Sequence, residues 1–159
     1  MKYPLADLLR VRLFREDAAQ AEVTAARRTL ETAEQTLAAR QQELTGYIEY
    51  RKRREAELYD EIMNQQIQMR DLDDLKSHIS QLQHTQGQFE DNVTQAKQDV
   101  RTANAALEEA QAAYSLAVKE RQKIDEHKAI WAQEETQRCE AELEKEMEDF
   151  RVRKAEEID

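Results

Sequence analysis

The side chains of this 159-residue sequence best suited to chemistry are three histidines, one cysteine and 34 acidic residues. A metal face on a helix needs ligands three or four residues apart, and His78, His84 and His127 have no such spacing to one another. His78 and His127 read as polar flank residues. Acid–base catalysis by paired carboxylates needs a cleft that raises the pKa of one of them. A chain with two glycines cannot build a phosphate-cradling loop, and neither G-x-x-x-x-G-K-S/T, G-x-G-x-x-G nor G-x-S-x-G occurs. No catalytic residue, no cofactor and no metal is expected, and the chain is read as a non-enzyme. Cys139 is the single cysteine, which excludes an intrachain disulfide and suits a reducing compartment.

Charge narrows the partners further. The formal charge of −10 argues against nucleic acid, whose phosphates call for a basic surface. Arg51, Lys52, Arg53 and Arg54 are a local exception, but four consecutive helical residues point all round the axis and read as a solvated girdle. No 18-residue apolar run suggests a membrane span, and the start lacks a signal-peptide pattern. A soluble, cytoplasmic protein without membrane insertion is expected.

The elements that must position any functional residue are helices. Charged residues make up 36% of a sequence with one Pro, and turn chemistry and β-branched runs are missing, so β-structure is not expected. Alternate steps of three and four pick out Leu72, Leu75, Ile79, Leu82, Gln86, Phe89, Val93, Ala96, Val100, Ala103, Leu107, Ala110, Tyr114, Ala117, Arg121, Ile124, Lys128 and Trp131. Only Gln86, Arg121 and Lys128 break the apolar rule of this heptad seam. Upstream, Val23, Leu30, Leu37 and Leu44 recur every seven residues, with Ala26, Ala33, Arg40 and Tyr47 three residues after each.

The two seams change phase near the polar stretch Met63–Gln68, with Asp71, Asp73 and Asp74 placed to favour a helix N-terminus. The chain is therefore expected to be all-α, a long two-helix antiparallel coiled-coil hairpin forming one domain over 1–159. Helix one is placed at about 4–62, the turn at about 63–70 and helix two at about 71–156. In a register where facing residues add to about 133, Leu30 meets Ala103, Leu37 meets Ala96 and Leu44 meets Phe89. A large residue thus opposes a small one in most layers, whereas a parallel homodimer would stack Ala on Ala; a monomer in isolation is expected.

That register leaves everything after Trp131 without a partner, a C-terminal helical overhang of roughly 40 Å at about 1.5 Å per residue. The overhang carries its own stripe of Cys139, Leu143, Met147 and Phe150, with eleven acidic against five basic residues over 132–159. The first fifteen residues are basic by contrast, and Leu5, Leu9, Leu13, Val11 and Phe14 make them apolar nearly all round. The open end thus offers more apolar surface than a two-helix coil needs, and it is read as a partner-binding end.

Several short motifs point one way: Tyr3-Pro4-Leu5 with Leu8-Leu9 and Arg12, the cluster Leu44, Tyr47, Tyr50-Arg51, and His127-Lys128 with Trp131. Closing them is Glu144-Lys145-Glu146-Met147-Glu148-Asp149-Phe150 with Arg153. Over nearly its whole length the sequence resembles the YscO/FliJ family, the coiled-coil stalk proteins of type III secretion and flagellar export. The resemblance implies a terminal end that inserts in a hexameric secretion ATPase and stimulates it. It also implies contacts with the cytoplasmic domain of the export gate and with export chaperones. Carried over, Leu9, Arg12, Phe14, Arg15, Leu143, Met147, Phe150, Arg151 and Arg153 would face the ATPase ring. The gate and chaperone contacts would fall at the hairpin tip, with Tyr59, Ile62, Met63, Ile67 and Met69 as candidates. The alternative is a coiled-coil escort or holding chaperone that uses the same stripe to bind secreted clients.

Overall fold

The computed structural model describes residues 2–64 and 66–158. Met1, Gln65 and Asp159 lie outside the described residues, so one position of the expected turn does too. Among the described residues there are two helices, α1 over Ala6–Met63 and α2 over Met69–Ile158, and no strand. They pack against each other as an all-α hairpin, the expected fold class. Neither helix meets a proline, and Gly46 and Gly87 sit inside them without a positive φ.

Both helix starts follow from local chemistry. Pro4 stands in the turn before α1, where its missing N–H withdraws nothing from the helix; Ala6 N–H donates to the Tyr3 carbonyl at 3.2 Å. Before α2, the Gln68 carbonyl accepts from Asp71 N–H at 3.0 Å, and Asp71 Oδ2 accepts from Gln68 N–H at 3.3 Å. This reciprocal pair satisfies a donor that the helix itself leaves open, as in a capping box. Asp71 also places negative charge in the first turn, where the macrodipole favours it.

The chain forms two compact units, each made of a length of both helices: Val23–Ala110, and Met1–Glu22 with Gln111–Asp159. In the first, Val23, Leu58, Leu75, Val93, Ala96 and Ala103 are buried. Leu30, Ala33, Leu37 and Leu44 on α1, with Val100 and Leu107 on α2, are half-buried. The two least exposed residues are alanines, Ala96 at 3% and Ala103 at 5%, at the positions where the register sets Leu37 and Leu30 over them. A small side chain lets the opposing helix close over it, which is the reason large faces small along the seam. Leu72 is exposed, so cover begins at Leu75.

Gln86, the first break in the seam, has a physical account. Tyr47, its register partner, passes to either side of it: the ring stacks on Phe89 at 4.8 Å, and the hydroxyl donates to the Leu82 carbonyl at 2.9 Å. The amide of Gln86 turns along its own helix and donates to Glu90 at 2.9 Å. A polar side chain there leaves no buried donor unsatisfied.

In the second unit the shared layer is completed by the N-terminal segment. Tyr3 is buried, with its ring 5.3 Å from Trp131 and 5.7 Å from His127, and its hydroxyl lies 2.5 Å from His127 Nδ1. His127, expected as a flank residue, is thus the hydrogen-bond partner of the chain's buried N-terminal tyrosine. The seam position beside it, Lys128, is exposed. The second break, Arg121, bonds Glu16 across the layer and Asp125 on its own helix at 2.7 Å. These hydrogen bonds, Glu16 first, raise its pKa above the ordinary arginine value.

Candidate partner-binding site

The unit that holds both termini has a sharp boundary of cover. Tyr3 against Trp131 is the last paired layer, and from Thr136 to Ile158 every described residue of α2 is exposed. Past that layer the chain narrows to one helix, about 10–12 Å across with side chains. Leu143, Met147 and Phe150 are 59%, 60% and 66% exposed, so most of each apolar side chain faces solvent. Arg151 and Arg153 lie beside them, also exposed, and Lys154 Nζ stands 6.0 Å from the centre of the Phe150 ring. Val152 adds a further exposed apolar side chain that the four-residue spacing of the stripe did not pick out.

The candidate residues on α1 divide. Phe14 is 74% exposed and Arg15 is exposed, while Leu9 is half-buried. Arg12 is turned inward, where its guanidinium bonds Glu120, and its Nε is buried without a hydrogen-bond partner among the described residues. The Arg12 cation is therefore spent within the molecule. Nor do the nine terminal candidates form a single patch. Arg12 fixes the level of Phe14 near Glu120, and Leu143 lies 23 residues further on, about 35 Å along the helix. The tail residues form one surface, and Phe14 with Arg15 and Val11 forms another, with Leu13 on the opposite side of α1.

Leu116 and Ile130 are exposed apolar residues of the same unit that sequence reasoning passed over. Each falls on the side of α2 away from the seam, and an apolar residue out of heptad phase was the available signal.

The tip belongs to the unit Val23–Ala110. Tyr59, Met63, Ile67 and Met69 are exposed there, Met63 at 84% and Met69 at 80%. Ile62 is half-buried instead, and with Leu58, Ile67 and Leu75 it lines a recess whose rim carries Arg54, Glu61, Asp71 and Asp74. Packing takes Ile62 and part of Ile67, which leaves the two methionines and Tyr59 as the outer surface. Among the described residues no group of His, Cys, Asp and Glu is arranged to hold a metal ion, and no helix is long and apolar enough to cross a membrane.

The helical end and the apolar tip both stand open to solvent. The family model of type III secretion protein YscO matches residues 5–153. The chain belongs to the YscO family. Its fold also matches the solved structure of CT670 from Chlamydia trachomatis, described as a YscO homolog, with a TM-score of 0.78 and 25% sequence identity. That likeness covers 94% of this chain and 92% of the chlamydial one. No curated protein matches the chain. YscO membership gives it a role in type III secretion, with partners in the secretion apparatus, as a structural or adaptor protein.

Proposed function

We propose that this YscO protein is the central stalk and adaptor of a type III secretion ATPase. The single-helix tail with Leu143, Met147, Phe150, Arg151 and Arg153 enters the hexameric ring and stimulates hydrolysis. Phe14 and Arg15 meet the ring nearer its mouth, with Leu9 and Arg12 holding the shaft behind them. Tyr59, Met63, Ile67 and Met69, backed by Ile62, reach toward the export gate and its chaperones at the cytoplasmic face of the apparatus. The observation that carries this reading is the tail beyond the Tyr3–Trp131 layer, helical throughout and exposed on every side.

Two physical points support it. A helix stripped of its partner is narrower than the paired coil and fits a pore that the pair would not enter, and covering an apolar stripe otherwise left in water is favourable. The acidic excess of the tail calls for a basic lining in the partner, which would also steer entry.

The test is hydrolysis by the purified ATPase with and without this protein. Leu143→Asp combined with Phe150→Asp should abolish stimulation, while helicity stays as in the wild type because both side chains are outside the packed layers. Stimulation that survives the double substitution would remove the tail as the binding end.

A further inference from the structure

The tail carries a charge pattern beside its apolar stripe. From Glu140 to Asp149 the only basic residue is Lys145, and then Arg151, Arg153 and Lys154 follow together. At 3.6 residues per turn, Glu140 and Arg151 fall within about 20° of each other on one flank of the Leu143–Met147–Phe150 stripe. Glu142 and Arg153 fall within about 20° of each other on the opposite flank. Among the described residues, none of these four takes part in an ion pair of the chain.

Such a face opposes parallel, in-register pairing with its own copy, since acid would lie against acid and base against base. Turned antiparallel, it fits. Leu143 of one copy then meets Phe150 of the other about a centre between Glu146 and Met147, the two Met147 residues lie within about 1.5 Å of the same level, and like flanks face one another. Glu140 comes within about 3 Å along the axis of Arg151 and Glu142 within about 3 Å of Arg153, and each pair occurs twice, while Glu146 comes beside its own copy. Exposed ion pairs add little affinity, but opposed like charges select against the wrong direction.

We infer that the exposed tails of two copies of this chain pair antiparallel, in a two-fold contact centred between Glu146 and Met147. The contact is isologous, so it closes at a dimer. It spans about 14 residues of one helix, roughly 21 Å, and a contact of that size forms and dissolves with protein concentration. The pairing does not depend on the ATPase reading. It uses the same face, however, so a second copy and a pore exclude one another there.

The test uses the full chain. Sedimentation velocity should show a coefficient that rises with concentration, and both Arg151→Glu with Arg153→Glu and Glu140→Arg with Glu142→Arg should hold the chain at the monomer value. An equimolar mixture of the two double variants should regain the dimer. In a Cys139→Ser background, Met147→Cys should oxidise to a covalent dimer, whereas Leu143→Cys should crosslink only when mixed with Phe150→Cys. A wild type that stays monomeric at every concentration would overturn the inference. So would a mixture of charge variants that fails to associate, or Leu143→Cys crosslinking to itself as readily as Met147→Cys.

Discussion

Replacing Tyr3 with Ala should open the terminal end, and the size of the effect follows from three contacts. The side chain is buried, with 7% of the residue exposed, and burying an aromatic ring of this kind is worth about 1.5–3 kcal/mol. Its packing against Trp131 at 5.3 Å adds about 0.5–1.5 kcal/mol, and the hydrogen bond to His127 about as much again. The combined loss is about 2.5–6 kcal/mol before relaxation. Residues 2–9 can detach without the Val23–Ala110 unit unfolding, so the global loss is capped by the free energy of that local opening.

Trp131 is the only tryptophan, so its fluorescence reports this layer alone. In Tyr3→Ala its emission should shift red, and exchange of the Leu9 amide, which donates to Leu5 at 2.9 Å, should speed up. Tyr3→Phe keeps the ring and should cost only about 1 kcal/mol. Unchanged Trp131 emission and Leu9 exchange in Tyr3→Ala would refute the view that this residue closes the paired region.

Other substitutions test the packing elsewhere. Gly46→Ala and Gly87→Ala should each stabilise the fold by about 0.5–1 kcal/mol, read as a higher urea midpoint, because an added Cβ meets nothing within 4 Å and both backbones are helical. Ala96→Leu should cost about 1–3 kcal/mol by the same measurement, since a larger side chain at the least exposed residue of the seam would push the opposing helix away. In a Cys139→Ser background, Leu30→Cys with Ala103→Cys should give an intramolecular crosslink at low protein concentration, and a purely intermolecular product would refute the register within Val23–Ala110.

The fold was legible because heptad spacing is a one-dimensional signal. Every seam position from Leu75 to Ile124 is at least half-buried, and cover stops near Trp131, where the register runs out of first-arm residues. The breaks in the seam were visible as breaks but not as structures. Gln86 gave no sign that Tyr47 would straddle it, and Arg121 gave none that Glu16 would bond it from the other helix. Arg12 and Arg15 look alike in the sequence, yet one is held by Glu120 and the other is exposed, because Glu120 of the other helix stands within reach of Arg12.

The tip shows the same division. Ile62, Met63, Ile67 and Met69 are all apolar residues near a turn, and only the path of the chain through the turn puts Ile62 in a recess and leaves Met63 and Met69 in solvent.

The sequence by itself determined that this chain is helical, that its two arms carry matching stripes, and that the second arm outruns the first. Each of these is a matter of period and length along a single chain. Only the tertiary structure decided which polar groups are spent inside the molecule, that Tyr3 reaches His127 and Trp131, and which apolar side chains remain for a partner. Those outcomes turn on angles and distances between residues more than a hundred positions apart, and no local spacing encodes them.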